Sequence, residues 1–183
     1  MEIIRIFDTV KQGLYAIKYN NQAVDEFTRL IELWQDLVYL EEFFNTNKNN
    51  LQSGYFGTIS VDSAIMLTLK DSQALEKQLL EINDSEENES KSLNNIFKPL
   101  NNITYKPGDF QKSKAYGVLE KTWLRLYALK VDDNYFVIAG GAIKLTQKMA
   151  QNTHTQNELK KLDQCRDYLR EEGIFDADGL NQN

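Results

Sequence analysis

Apolar residues recur three or four positions apart over residues 23–44, which is the spacing of one buried helical face. They are Val24, Phe27, Leu30, Ile31, Trp34, Leu37, Val38, Leu40 and Phe44. Asp36 interrupts the stretch with a side chain suited to capping a helix, so the pattern predicts either one long helix or a helical hairpin. A further helix is predicted from Ser60, which is suited to be its N-cap, to about Ile82.

The hydrophobic period changes from that of helices to two from Ala115 onward. The segments "YGVL", "WLRLYALKV" and "YFVIAGGAIKLT" are rich in β-branched and aromatic residues, which favours strands. Asp132, Asp133 and Asn134 form a tight-turn signal between the last two segments, and the short connections predict an antiparallel meander. Residues 13–19 are also strand-like, and the pair Gly140 and Gly141 predicts a bulge or bend.

The last predicted helix has a capping box, Thr155 to Glu158, and should begin at Thr155. Its apolar stripe includes Cys165, whose burial as a small hydrophobe is more consistent with the pattern than a nucleophilic role. Gly173 is placed to end this helix. The acidic tail, residues 171–183, is predicted to be loose.

Length and composition fit one domain. The chain has 183 residues, of which 42% are hydrophobic and 26% are charged. No apolar run is long enough for a membrane span and the amino-terminal residues do not resemble a signal peptide, so we expect a cytoplasmic protein without a membrane partner. One cysteine cannot form an internal disulfide, and with one histidine it leaves too few soft ligands for a zinc site, so no metal or other cofactor is expected.

The net charge of −6 conceals an asymmetry that bears on possible partners. Residues 104–170 contain 12 basic and 7 acidic side chains, whereas residues 1–103 contain 9 basic and 16 acidic ones. Positive charge is therefore concentrated in the segment that contains the predicted meander, which makes this segment the candidate for contact with a polyanion.

Basic side chains on two neighbouring strands suggest phosphate chemistry. Alternation places Trp123, Arg125, Tyr127 and Leu129 on one strand face, and the next strand leads into Lys144 and Lys148. Guanidinium and ammonium groups that converge on a phosphodiester stabilise the charge that develops during its cleavage, and Tyr127 could assist proton transfer or stack on a base. Lysines predicted to extend this surface toward a nucleic-acid backbone are Lys121, Lys130, Lys160 and Lys161.

Structural interpretations of the same residues stay open. Arg125 could pair with an acidic residue of the long helix, and alternating lysines are a common protection of edge strands against aggregation. His154 could act as a general acid and base, but it directly precedes the predicted capped helix and could simply pack on its first turn.

The block "WLRLYALKVDDNYFVIAGGAIKLTQKM" followed by "HTQNELKKLDQCRDYL" resembles the core of the RelE/HigB toxin superfamily, in particular its phage-derived Gp49-like branch. The matching features are Arg125 beside Tyr127, then Lys144, Thr146 and Lys148, and a helix with basic residues. A weaker resemblance covers residues 13–51. The chain departs from the pattern in its length, in its acidic net charge, and in having one lysine before Thr146 instead of two.

This resemblance implies an α+β fold, in which a small twisted antiparallel sheet has helices packed on one face. The whole chain would be one domain with an insertion at residues 52–115. The implied function is that of a type II toxin, an mRNA interferase that cleaves mRNA without a metal, usually on the ribosome, by attack of a ribose 2′-hydroxyl on the adjacent phosphate. Its implied catalytic residues are Arg125, Tyr127, Lys144 and Lys148. A neighbouring antitoxin, expected to be a helix-turn-helix protein, would hold the toxin inactive.

Two other functions remain open at the level of sequence. The chain could be a non-catalytic interaction protein on the same scaffold, whose acidic regions engage a basic partner, and the net charge favours this alternative. It could also be a toxin that poisons a topoisomerase, as related small folds do.

Overall fold

The computed structural model describes residues 1–82, 91–100, 110–146 and 153–182, with side chains in the last range from residue 156 onward. Within these residues the strands form one sheet in the order β1-β2-β6-β5-β4-β3. The strands are β1 (Glu2–Asp8), β2 (Gly13–Lys18), β3 (Lys98–Pro99), β4 (Gln111–Tyr116), β5 (Leu124–Asp132) and β6 (Tyr135–Ile143). The sequence also predicts a short strand around Ile103 to Tyr105, between the prolines Pro99 and Pro107, and this segment lies outside the described residues.

Helices precede and follow the main strands. They are α1 (Glu26–Gln35), α2 (Leu37–Thr46), α3 (Lys48–Leu51), α4 (Val61–Leu80), α5 (Leu93–Ile96), α6 (Thr153–Glu171) and α7 (Ala177–Asn181). The stretch around Asp36 is therefore two helices, because the Asp36 carboxylate accepts hydrogen bonds from the backbone N–H groups of Val38 and Tyr39 and so starts α2. Ser60 caps α4 in the same way, as predicted.

The predicted α+β class is confirmed, but two details of the prediction are wrong. The sheet is mixed, because β2 and β6 pair in parallel, with Leu14 opposite Phe136. Helices also cover both faces, since α1, α2 and α4 contribute to one core and α6 and α7 to the other. The physical reason lies in β6, which is buried along its whole length and therefore needs apolar cover on both sides.

Gly140 and Gly141 allow a helix to approach each face of β6 closely. A Cβ atom at Gly140 would lie 2.1 Å from the Glu158 Oε2 atom on α6, and one at Gly141 would lie 2.8 Å from Leu30 Cδ1 on α1. The register of β6 against β5 shifts at Ala139, so the predicted irregularity is a bulge beside these glycines.

The carboxy-terminal part differs from its prediction in two respects. The last long helix, α6, begins at Thr153 and not at Thr155. The Glu158 carboxylate accepts a hydrogen bond from the Gly141 N–H at 3.0 Å, while the side chain of Thr155, the other member of the predicted capping box, lies outside the described side chains. The tail is not loose over its described length: Ile174 and Leu180 are buried in the second core. Gly173, with φ of 72°, reverses the chain after α6 as predicted.

Residues 52–115 contain α4, α5, β3 and most of β4, and α4 supplies buried side chains to the first core. This segment is thus an integral part of the packing. That it is an insertion into a smaller domain stays a prediction.

Candidate nucleic-acid interface

A diagonal row of basic side chains crosses the sheet near the beginning of β5 and the end of β6. We call it the cationic row, and its members are Lys98 on β3, Lys114 on β4, Arg125 on β5 and Lys144 directly after β6. Lys98 lies opposite Lys114, and directly opposed residues of antiparallel strands share one face of the sheet. The row therefore combines charges from strands that are distant in sequence.

The register of the central strands places the rest of the row on this same face. Lys114 lies opposite Tyr127, which is two residues from Arg125, and Arg125 lies opposite Ala142, which is two residues from Lys144. Residues two apart on a strand point to the same side. The prediction that Arg125 and Lys144 lie side by side on neighbouring strands therefore agrees with the observed register, while their catalytic role stays a prediction.

The cationic row lacks acidic partners within the described ranges, since none of its members forms an ion pair there. Burial lowers the pKa of the Lys144 ammonium, and the positive charges of Arg125 and Lys114 lower it further. Like charges in this arrangement repel one another, so the row has the electrostatic character of a site for an anion.

Arg125 is held in place without neutralisation of its charge. Its Nη1 atom donates to the carbonyl oxygens of Thr122 and Leu124, at 3.2 and 2.6 Å, and its guanidinium carbon lies 4.1 Å from the centre of the Tyr116 ring. Burial lowers the pKa of Arg125, but a guanidinium stays protonated at physiological pH. Its Nε and Nη2 groups have no partner among the described residues, so they can donate to a phosphate.

A buried carboxylate in turn fixes the loop that holds Arg125. The Asp71 side chain on α4 accepts hydrogen bonds from the backbone N–H groups of Val118 and Leu119, at 2.6 and 2.9 Å, and from the Thr122 hydroxyl. A Cβ atom at Gly117 would lie 2.0 Å from Asp71 Oδ2, so only glycine fits at this point of the loop. The loop between β4 and β5 is therefore tied to α4.

Aromatic side chains around the row differ sharply in accessibility. Tyr127 is only 1% exposed, and burial raises its pKa to about 12, so its hydroxyl stays protonated and its ring has no free face for a base. Tyr116 and Tyr55 are 40% and 51% exposed. The proposed stacking role thus suits Tyr116, beneath the Arg125 guanidinium, better than Tyr127.

Sequence reasoning missed Lys98, Lys114 and Tyr116. The signal for two of them is the alternation of Lys112, Lys114 and Tyr116, which is the pattern of one strand face. The predicted strand began too late, at residue 115, whereas β4 spans Gln111–Tyr116.

The other predicted lysines do not form one surface with the row. Lys130 pairs with Asp133 at 3.0 Å near the other end of the β5–β6 hairpin, so it does not extend the row. Lys161 is bound to Glu26 and Glu158, each at 3.1 Å, and is not available to a nucleic acid. Lys121 and Lys160 are exposed, and Lys148 lies outside the described residues.

The buried pair Glu26 and Glu158 joins the helices of the two faces. Glu26 at the start of α1 accepts hydrogen bonds from Arg29, at 2.8 and 2.9 Å, and from Lys161 of α6 at 3.1 Å. Burial raises the pKa of Glu26, but these hydrogen bonds and charges outweigh burial and lower its pKa below the usual value. This network is a structural clamp, and it explains why Lys161 is absent from the cationic row.

Cys165 is fully buried and burial raises its pKa, so its expected role as a small hydrophobe is consistent with its surroundings. The side chain of His154 lies outside the described residues. Among those that are described, there is no group of three or more His, Cys, Asp or Glu side chains that could hold a metal ion.

Comparison with family models, with curated proteins and with solved structures finds no match to this chain. In the described parts of the chain, no helix is both long and apolar enough to cross a membrane.

Proposed function

We propose that this protein is a toxin-like endoribonuclease of the RelE/HigB type, which binds RNA on the cationic row and cleaves it without a metal. The observation that carries the proposal is the row itself: four cations from neighbouring strands without an ion pair to any described carboxylate. Repulsion among clustered cations destabilises the folded protein, and a bound polyanion would relieve that repulsion.

The proposed reaction is the attack of a ribose 2′ oxygen on the adjacent phosphorus, with cleavage of the bond from phosphorus to the 5′ oxygen. Arg125 would hold the non-bridging oxygens through its two remaining donor groups. Lys144 has a lowered pKa, so its neutral amine is more readily formed and would accept the 2′-hydroxyl proton. Tyr127 stays protonated at neutral pH and would give a proton to the leaving 5′ oxygen.

The partners in this proposal are mRNA, the ribosome on which it would be cleaved, and an antitoxin that covers the cationic row. Lys148 would position the RNA backbone, and the exposed Lys121 and Lys160 would add weaker contacts. The location would be the cytoplasm, where these partners are found.

Induced expression in a bacterium tests the proposal. The wild-type protein should stop growth and leave cleaved transcripts, whereas the double variant Arg125→Ala with Lys144→Ala should do neither. A matched control is Lys48→Ala with Lys70→Ala, which removes two exposed charges from other elements and should stay toxic. Normal growth and intact mRNA at high wild-type expression would contradict the proposal.

A second candidate function is RNA binding or protein binding without cleavage. It is favoured by the burial of Tyr127, which limits the access of a substrate to the only tyrosine hydroxyl that we assign to proton transfer. Tight binding of RNA that stays intact, alone and with ribosomes, would select this candidate over the nuclease. If the purified protein binds no RNA and retains a basic protein partner, the acidic surfaces would be the functional ones.

A further inference from the structure

A cavity of about 440 Å³ lies between the carboxy-terminal end of α4, helix α5 and the end of β4. This volume is in the range of sites that take small organic molecules, about 300–1,000 Å³. Its lining includes Gln78, Glu81, Ile82, Lys91, Lys98 and Tyr116. The cavity thus combines an apolar wall with an amide, a carboxylate and two ammonium groups.

The cavity meets the cationic row only at the edge of the sheet, because its walls on α4 and α5 belong to the first core whereas Lys114 and Arg125 lie on the face of the second core. Lys98 belongs to the row and to the cavity lining, and Tyr116 lies under the Arg125 guanidinium and also reaches the cavity. A polynucleotide whose phosphate lies on Lys114 and Arg125 would enter the cavity by passing the sheet edge at Lys98 and Tyr116. We therefore expect the part of a ligand that enters the cavity to be covalently attached to the phosphate that lies on the row.

The cavity lining has hydrogen-bonding groups suited to the edge of a base. The Glu81 carboxylate lies 3.7 Å from the ammonium groups of both Lys77 and Lys91, so its charge is offset and does not by itself decide between a base and a phosphate. A carboxylate and an amide can accept hydrogen bonds from the N–H groups of a nucleobase, and Gln78 can also donate.

We propose that this cavity binds one unstacked nucleobase of the RNA whose phosphate lies on the cationic row. The proposal rests on the proposed RNA-binding function and adds a base-specific subsite to it. Gln78 and Glu81 would contact the edge of the base, and the apolar wall with Ile82 would contact its face. The cavity would then contribute to the sequence preference of the enzyme.

The test compares ligands that differ only in the base. Binding of each of the four ribonucleoside 5′-monophosphates is compared with binding of ribose 5-phosphate to the full-length protein by calorimetry. We expect at least one nucleotide to bind about tenfold more tightly than ribose 5-phosphate, as for one or two hydrogen bonds gained. Equal affinity for all five ligands would overturn the proposal.

Variants on α4 identify the contacts. Glu81→Gln and Gln78→Ala should each reduce the preference for the nucleotide several-fold, whereas Gln73→Ala, an exposed change on the same helix, should leave it intact. If a phosphate occupied the cavity, Glu81→Gln would strengthen the binding of ribose 5-phosphate, and this outcome would also overturn the proposal.

The two proposals fail in different ways. If Arg125→Ala weakens the binding of single-stranded RNA but all five small ligands bind alike, RNA binding on the cationic row is supported and base binding in the cavity is contradicted. If nucleotides are preferred and Glu81→Gln removes the preference, yet RNA is never cleaved, base binding in the cavity is supported and the nuclease activity is contradicted.

Discussion

At the scale of single residues, the contrast between neighbouring lysines on β4 and β5 supports a function for the cationic row. Lys112 pairs with Asp163 at 2.7 Å and Lys130 pairs with Asp133 at 3.0 Å. Lys114 lies on the same strand as Lys112 and has no such partner among the described residues, although it lies opposite another lysine, Lys98. Unpaired neighbours of like charge destabilise a sheet, so their retention favours a role in binding an anion.

Lys144→Arg separates two roles of this cation. An arginine keeps the positive charge but cannot lose its proton at accessible pH, so the variant should bind RNA with nearly wild-type affinity and lose cleavage by about 100-fold or more, as for the loss of a general base. In the wild type, the lowered pKa of Lys144 means that the cleavage rate should rise between pH 7 and 9, as more of the amine becomes neutral. Single-turnover cleavage of a labelled RNA over this pH range measures both effects.

The matched change for this experiment is Lys70→Arg, on an exposed position of α4, which should keep both the rate and its rise with pH. Full activity in Lys144→Arg would show that residue 144 acts only through its charge. The assignment of proton transfer to Lys144 would then be wrong.

At the scale of elements, the local patterns predicted most of the helices and the central hairpin, and long-range partners account for what they missed. The apolar stripe of α4 is irregular because Thr68 and Asp71 are buried polar residues on it. Thr68 accepts a hydrogen bond from the Trp123 indole at 2.9 Å, and Asp71 holds the loop before β5. These partners are about 50 residues away, so no local period reveals them.

Local sequence patterns also could not predict the pairing of β2 with β6, because more than 100 residues separate the two strands. The one available signal was the continuous apolar run of β6, which is typical of a strand covered on both faces. For the site, alternation was sufficient to place Arg125 and Lys144 together. The helical pattern of α6 placed Lys160 and Lys161 together on the surface, but adjacent helical residues differ by about 100° in direction, and Lys161 is bound to Glu26 and Glu158 whereas Lys160 is exposed.

The clamp between α1 and α6 should make stability depend on acidic pH. The pKa of Glu26 is lower in the folded protein than its ordinary value of 4.5, so ionised Glu26 stabilises the fold above that value. This contribution should decrease as the pH falls below about 4.5, and it should be lost once the pH has passed the lowered pKa of Glu26 and the carboxylate is protonated. Thermal unfolding at pH 7 and at pH 3 should therefore show a larger drop in melting temperature for the wild type than for Glu26→Gln.

Glu26→Gln should itself be less stable than the wild type at pH 7, since Arg29 then loses its charged partner and Lys161 loses one of its two. Glu32→Gln changes an exposed carboxylate on the same helix and serves as the control, with an acid response like that of the wild type. An identical acid response in Glu26→Gln and wild type would show that other carboxylates dominate.

At the scale of the whole molecule, a net charge of −6 and an RNA-binding site are compatible because of screening. The Debye length at physiological ionic strength is about 8 Å, so acidic residues on remote surfaces contribute little to the potential at the cationic row. The four cations of the row act locally on a bound phosphate backbone. Remote acidic surfaces would mainly slow the approach of RNA at low salt.

The salt dependence of RNA binding therefore reports the row and not the net charge. For single-stranded RNA each neutralised phosphate contributes about −0.7 to the slope of log K against log salt, so four contacts predict a slope of roughly −3. Arg125→Ala should weaken binding and bring the slope closer to zero by about 0.7, whereas Lys48→Ala, on α3, should change neither. Fluorescence anisotropy of a labelled oligonucleotide, measured at roughly 50 to 300 mM salt so that the range includes physiological ionic strength, gives both the affinity and the slope. A slope near zero in the wild type, or a slope unchanged in Arg125→Ala, would show that RNA is not bound through the cationic row. The better explanation would then be that the acidic surfaces of the protein bind a basic protein partner.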